Sequence, residues 1–388
     1  MLSFNNTEIP FASKTNNDLN QSYWLFKIMS NNTVVSIGNQ LIYAALKLRL
    51  PIKSLIKATV FKQFCGGETI EECDKKIKLL GTANIGTILD YSVEGKNTEA
   101  DFQVCVNETI KTIYKSKNNK HIPFCVFKVT GLARFELLEK VASDLNLNHY
   151  EQKEYERVYN NVNSICEAAC EAQVAIFIDA EESWIQHTID DLANKMMMIY
   201  NKQKPIVYNT FQMYRKDRLD NLKNSLAKAE KENYFLGAKL VRGAYMEIER
   251  TRAIELNYSS PIHDTKEATD NDYNAALLYC LSNVQKIAFC AATHNENSII
   301  YLTQLIEEKT IQKNNPHIFF AQLLGMSDHI SYNLSNLGYN VAKYVPYGPV
   351  KEVLPYLIRR AQENTFVKGQ TGRELSLIIK EKKRRKSV

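Results

Sequence analysis

The strongest constraint on this chain is a rhythm. From about residue 84 onward, short apolar runs rich in β-branched and aromatic side chains recur: "NIGTILDYS" (84–92), "IPFCVFKVT" (122–130), "QVAIFID" (173–179) and "PIVYNTF" (205–211). They continue with "GAKLVRGAY" (237–245), "KIAFCAA" (286–292), "IFFAQLL" (318–324) and "YNVAKYV" (339–345). Most are followed by a segment of helical character, such as "RLDNLKNSLAKAEKE" or "NENSIIYLTQLIEEK". Strands that alternate with helices are parallel strands joined by crossovers, and continuous apolar runs are strands covered on both faces. Eight such units predict a closed (β/α)8 barrel of the α/β class. The same alternation also suits an open doubly wound sheet.

The placement of polar residues favours the barrel. Lys128, Asp179, Asn209 with Gln212, Arg242 with Tyr245, the Thr293-His294-Asn295 run, Gln322 and Tyr344 all fall toward the C-terminal ends of the runs. In a (β/α)8 barrel those ends converge on one mouth, where the active site lies. Strand ends are often solvent-exposed, but polar residues at seven of eight are more than that rule needs. Residues 1–83 read as a helical segment, with "QSYWLFKIM", "GNQLIYAALKLRL" and "TIEECDKKIKLLGTA". Residues 84–366 form the barrel and 367–388 a basic tail.

One helix after the last strand is unusual. In "YVPYGPVKEVLPYLIRRAQEN" (344–364), Tyr356, Arg359, Arg360 and Glu363 are spaced i, i+3, i+4 and i+7, so they share a helix face. Two guanidinium groups form rigid forks that suit a carboxylate or phosphate. Glu363 is spaced to hold one of them. Pro355 should break or kink this helix unless it sits in the first turn. The plainer reading is a solvated face with a surface ion pair, but the neighbours are apolar and the helix can lie over the mouth.

Composition narrows the remaining choices. The 388-residue chain has 45% hydrophobic and 24% charged residues, an ordinary globular balance. Much of the +6 net charge traces to "KEKKRRK" (380–386), which leaves no broad face for nucleic acid. The cysteines at 65, 73, 105, 125, 166, 170, 280 and 290 form no CxxC pair, and several sit in apolar runs, so buried reduced thiols are expected. The N-terminus shows neither a secretory h-region nor an Arg-rich import sequence. With no apolar stretch near the ~20 residues of a spanning helix, the expectation is a soluble cytoplasmic protein, with peripheral contact at the inner membrane face as a possibility.

Taken in order, "KLVRGAYMEIER" (239–250), "HDTKEATDNDY" (263–273), "FCAATHN" (289–295), "QLLGM" (322–326) and the arginine segment resemble the FAD-dependent proline dehydrogenase family, of the single-function type. The resemblance covers about residues 84–366. It implies oxidation of L-proline to pyrroline-5-carboxylate by hydride transfer to flavin N5, with electrons passed to a membrane quinone, as the first step of proline catabolism. It implies that Lys128, Arg359 and Arg360 bind the substrate carboxylate, with Glu363 beside them. Tyr344, Tyr356 and Leu323 would wall the proline ring. Asp179 matches the family's active-site aspartate, either as base or as organiser of Lys128 or the flavin region. Lys239 stands where many relatives carry arginine near N5, so either Lys239 or Arg242 would touch N5.

The resemblance further implies cofactor contacts from Ala180, Asn209, Gln212, Arg242, Gly243, Ala244 and Tyr245. Lys266, Thr293, His294, Asn295 and Gln322 complete that set. Outside the motif context, Lys266 would be a solvated charge, His294 a helix-terminal neighbour and Gln212 a strand-end side chain. No GxGxxG or GxxxxGK is present, so neither a Rossmann nor a P-loop site carries the cofactor. Tyr344 favours proline over hydroxyproline, because relatives acting on hydroxyproline tend to have a smaller residue there.

The tail "RELSLIIKEKKRRKSV" (373–388) pairs an apolar stripe with a basic end. It reads either as a solvated helix end or as a contact with anionic lipid. Two other functions compete: a flavin-free Schiff-base lyase using Lys128 or Lys239, and a barrel without catalysis that binds anionic surfaces.

Overall fold

In the computed structural model the described residues are 3–31, 33–38, 40, 52–93, 97–366 and 370–387, with the side chains of 361–371 outside that set. The eight runs form eight strands: β1 (Ile85–Tyr91), β2 (Phe124–Phe127), β3 (Ala175–Ile178), β4 (Val207–Gln212), β5 (Leu236–Val241), β6 (Ile287–Ala292), β7 (Ile318–Leu323) and β8 (Val341–Tyr347). Each pairs in parallel with the next, and β1 closes on β8 from Ile85–Val341 to Tyr91–Tyr347. The barrel expectation holds and the open sheet does not. Several crossover helices begin on a short polar side chain that accepts from the backbone N–H three residues on: Thr98, Asn148, Thr265 and Asn295. Such a cap contributes about 1 kcal/mol.

Side chains along a strand alternate between barrel interior and helix layer. Ile88, Phe124, Val126, Phe177, Tyr208, Cys290, Ala321, Ala342 and Tyr344 form an interior cluster, while Val207, Phe211, Ala238, Leu240, Phe289, Phe320 and Val345 belong to the larger cluster under the helices. Phe124 stacks on Phe177 at 4.4 Å between ring centres, and Tyr208 meets both edge-on. These rings fill the lower barrel, so polar side chains pointing inward above them can gather only at the mouth.

The two ends of the chain meet. Phe11, Leu19, Phe26, Ile56, Phe61 and Phe64 from the N-terminal segment pack with Val353, Leu354, Tyr356 and Leu357 of the helix Val350–Phe366, and with Leu377 and Ile378 of the helix Gln370–Lys386. Residues 70–80 go elsewhere: Ile70, Cys73, Ile77 and Leu80 join the cluster around the barrel. The division at 83 therefore cuts through that packing, and the tail shares a core with the N-terminal helices. Pro355 lies inside the helix rather than in its first turn.

A buried ionic link fastens this cluster of terminal helices, the cap, to the barrel. Lys343, outward-facing on β8 and fully buried, donates to the Met326 carbonyl at 2.5 Å and pairs with Asp328 at 3.0 Å, which also binds Lys14 at 2.8 Å. Burial alone would raise the Asp328 carboxyl, but Lys14 and Lys343 hold it well below the usual carboxylate range. The tail's arginines are engaged within the chain too. Arg385 donates to the carbonyls of Phe11 (2.7 Å) and Lys14 (2.9 Å), and Arg384 and Arg385 both bind Glu381 at 2.8 Å. The cysteines are free thiols, and all but the partly exposed Cys170 are buried.

Candidate active site

The mouth is built by alternation. Counting from inward Tyr208, Phe177 and Phe124, the residues that point inward at the upper ends are Lys128, Asp179, Thr210 with Gln212, Lys239 and Tyr344. Asp90 joins them from β1, two residues beyond inward Ile88.

Asp179 is the hub. Its Oδ1 accepts from Lys239 Nζ at 2.6 Å, and its Oδ2 accepts from the Tyr344 hydroxyl at 3.0 Å. The Lys239 ammonium also lies 5.2 Å from the Phe177 ring centre and 4.9 Å from that of Tyr344. Lysine and aspartate are only 5% and 8% exposed, so each depends on the other for its charge. Lys128 is half-buried, and its charge pulls down the carboxyls of Asp90 and Glu181, which burial pushes up to about 6 and about 7. Glu181 accepts from the Thr130 backbone N–H at 3.0 Å and from the Thr130 hydroxyl, which brackets the loops after β2 and β3.

Leu323 packs against both the interior cluster that contains Tyr344 and the cap cluster that contains Tyr356, so it lies between the two tyrosines. In the helix Val350–Phe366 the Arg360 guanidinium sits 5.2 Å from the Tyr356 ring centre, with Arg360 buried and Arg359 half-buried. Glu363 lies on the same helix, but its side chain is outside the described residues.

The residues expected at the cofactor divide. Arg242 directs its fork at Asp270 (2.7 Å), Thr293 (2.6 Å) and Ser298 (2.9 Å) with its guanidinium 4.3 Å from the Tyr273 ring centre. Exposed Lys266 reaches the same Asp270 at 2.5 Å. Gly243 turns the chain at φ +141°, where a Cβ would also press into the Tyr214 ring at 2.5 Å, so glycine is required. Ala244 donates to Gln212 Oε1 at 3.3 Å, while Gln212 Nε2 donates to the Glu181 carbonyl at 2.7 Å. Tyr245 then stands at the N-cap position of the helix Met246–Glu255, with no capping bond from its side chain, and Ala180 is buried beside Asp179. His294 shares a hydrogen bond with Ser327 at 2.9 Å. Burial first, then Lys343 and Arg360, depress its pKa to about 3, so the imidazole is neutral. Asn295 caps the helix Glu296–Glu308.

Two expected contacts face the wrong way. Asn209 alternates with inward Tyr208 and points into the helix layer, where its amide donates to Asp190 at 2.9 Å. Gln322 likewise alternates with inward Ala321, donating to the Thr293 carbonyl at 3.1 Å and accepting from Ser331 at 2.7 Å. Both brace the strands from outside. Thr210, the inward neighbour of Asn209 and the register partner of Lys239, has a buried hydroxyl with no partner in the structure. An unpaired buried hydroxyl is costly unless something binds it. Together with the Arg242 and Lys266 cations near the mouth, this fits an anionic cofactor with a polar ring system, as FAD is.

The family model described as "Proline dehydrogenase" matches residues 73–373. The chain belongs to the proline dehydrogenase family. It is therefore an oxidoreductase by descent. It is similar to "Proline dehydrogenase 1, mitochondrial" of Dictyostelium discoideum, at 35% identity over 97% of this chain and 74% of the relative. It is also similar to "Proline dehydrogenase 2, mitochondrial" of Arabidopsis thaliana, at 32% identity over 97% of this chain and 89% of the relative. Among solved structures, proline utilization A of Bdellovibrio bacteriovorus matches with a TM-score of 0.74 at 20% identity, covering 93% of this chain and 38% of that one. That likeness bears on the fold, and the chain spans little more than a third of that protein. Both family relatives are named mitochondrial, which does not support the cytoplasmic placement expected from the N-terminus. Among the described residues no helix is long and apolar enough to cross a membrane.

Proposed function

We propose that this chain oxidises L-proline to pyrroline-5-carboxylate with FAD as its cofactor. The observation that carries the reading is the Lys239–Asp179–Tyr344 cluster at the barrel mouth, in a member of this family whose cap helix bears Arg359 and Arg360. The substrate carboxylate goes to those arginines with Lys128, and Leu323, Tyr344 and Tyr356 enclose the ring. Asp179 has both oxygens committed, which suits the organiser's role better than the base's. Bound flavin supplies a two-electron acceptor for the hydride of the ring carbon beside nitrogen. Lys239 and the Thr210 hydroxyl would meet the polar edge of that cofactor, and Arg242, Lys266 and the Gly243–Tyr245 turn its anionic part. Holding the substrate in a reactive pose contributes several kcal/mol, up to roughly 7–11 in favourable cases.

The alternatives fit less well. Hydroxyproline would need space that the full-sized, hydrogen-bonded Tyr344 takes up. A Schiff-base lyase needs a neutral amine, whereas Lys239 is ion-paired at 2.6 Å. The deciding measurement is an anaerobic absorbance spectrum of purified protein before and after L-proline. A flavin band that bleaches is the expected result. A band that does not bleach moves the search to other amines, and no band after adding FAD removes the reading.

We also propose that a membrane quinone takes the electrons, with the enzyme touching an anionic surface. Arg384 and Arg385 are engaged within the chain, so exposed Lys383 and Lys386 would carry that contact. Each basic residue near such a surface contributes about 1 kcal/mol, or roughly fivefold. Lys383→Gln with Lys386→Gln should weaken binding to anionic phospholipid vesicles at low salt by more than tenfold in total, an order-of-magnitude sum of two such terms. Unchanged binding would remove the tail from the account.

A further inference from the structure

The site holds a third buried carboxyl with no assigned task. A cyclic secondary amine enters as its ammonium ion, which has no electron pair with which to assist loss of the neighbouring hydride. The site must therefore accept a proton. Asp179 has one oxygen on Lys239 and the other on Tyr344, and Glu181 is bound by the Thr130 amide and hydroxyl. Asp90 points into the mouth from the end of β1, is 4% exposed, and takes a hydrogen bond from the Ser92 hydroxyl on one oxygen.

The groups facing Asp90 come from every neighbouring element. They are Lys128 after β2, Asp179 after β3, Tyr344 on β8 and Cys65 of the N-terminal segment, with Cys105 of the helix Glu99–Ser116 lining the same small cleft. The Tyr344 hydroxyl lies between two carboxyls, donating to Asp179 at 3.0 Å and standing within hydrogen-bonding reach of Asp90 as well. Its oxygen can accept from Asp90 once that carboxyl is protonated, so Asp90, Tyr344 and Asp179 make a chain that tolerates an added proton.

Resting on the proline-oxidising reading above, we propose that Asp90 is the proton acceptor of this site, taking the proton from the ring ammonium of the bound amino acid before the adjacent C–H bond is cleaved. The N–H bond breaks and an O–H bond forms on Asp90. The electron pair left on nitrogen becomes the second C–N bond as the C–H pair departs as hydride to the flavin of the proposed activity. Lys128 has two effects here, steering the carboxylate and keeping Asp90 ionised. Burial raises the Asp90 carboxyl and Lys128 and Ser92 pull it back, to about 6, so it is an acceptor at neutral pH and loses that capacity as pH falls.

The test is the pH profile of kcat/KM for L-proline with the FAD-loaded enzyme, for wild type, Asp90→Asn and Ser92→Ala. Wild type should lose activity tenfold per unit below an acid limb near 6. Asp90→Asn should lower kcat by roughly 10²–10⁴ and abolish that limb. Ser92→Ala, which removes a donor to the ionised form, should move the limb to higher pH, and serves also if Asp90→Asn fails to fold. Difference infrared spectra between acid and alkaline buffer should show a protonated-carboxyl band in wild type that Asp90→Asn lacks. An active wild type whose limb is unmoved in both variants overturns this proposal alone. A wild type that never oxidises proline overturns the parent reading and this one with it.

Discussion

Replacing Arg359 and Arg360 together by methionine is expected to raise the KM for L-proline by roughly 10²- to 10⁴-fold while leaving flavin bound. Charge-assisted hydrogen bonds contribute about 1.5–3 kcal/mol each, and two of them to one carboxylate give that range. Methionine keeps much of the side-chain volume, so the helix face against Tyr356 and Leu357 stays filled. The cofactor is spared because the residues that suit it, Arg242, Lys266 and Gly243, belong to the β5 end and the loop beyond, with their own partners in Asp270, Thr293 and Tyr214. Steady-state kinetics with a flavin absorbance measurement on the same sample separate the two effects. Unchanged KM would move the carboxylate site to Lys128 or elsewhere. Loss of flavin together with proline affinity would mean that the cap helix supports the whole mouth.

That cap helix shows what the sequence does and does not reveal. The eight strands were legible because a strand buried on both faces must be apolar along its length, and few other elements of 7–9 residues are. Its arginines stood out because permanent cations in an apolar run need a partner. Facing was harder. Asn209 and Gln322 are polar and close to strand ends, but the side-chain period is two, and one step of register moves a residue from mouth to helix layer. Residue type alone cannot supply that step. Tyr208, Phe211 and Ala321 supply it, once packing assigns them to a cluster. Thr210 was missed for the same reason. Asp90 was visible in principle, because the strand-end rule that found polar groups on seven runs points to "LDYS" on the remaining one.

The Lys14–Asp328–Lys343 link was not legible at all. Its members come from distant parts of the sequence, with 314 residues separating Lys14 from Asp328. Nothing local distinguishes Lys14 from a surface lysine. The link matters to the site because Lys343 neighbours Tyr344 on β8 and holds the Met326 carbonyl in the loop that follows Leu323. The N-terminal segment thus helps to fix residues that would touch substrate. That is a reason for a helical segment of this kind to accompany a barrel already closed by its own strands.

The second large effect expected is at Lys239. Substituting methionine removes the only ion-pair partner that the structure gives Asp179 among the described residues, and leaves an ionised carboxylate inside the barrel. Breaking a buried pair from one side costs about 3–5 kcal/mol, because the remaining charge keeps its desolvation penalty and loses its compensation. Asp179→Asn should cost less, since the amide needs no counter-charge and can still accept from Tyr344, although it strands the Lys239 ammonium between two aromatic rings. The informative variant is the double one. With Lys239→Met and Asp179→Asn combined, both charges are gone, and most of the loss should be recovered. Denaturant titrations of the four proteins give the coupling energy directly. A coupling of about 2 kcal/mol or more marks the pair as mutually dependent, as its burial requires. A coupling near zero would mean that water or the flavin, not Lys239, compensates Asp179, and the hub of the site would have to be redrawn around Tyr344. Activity separates from stability in the same set: the double variant should be folded and nearly inert, because what restores the barrel does not restore the charge that the substrate and cofactor meet.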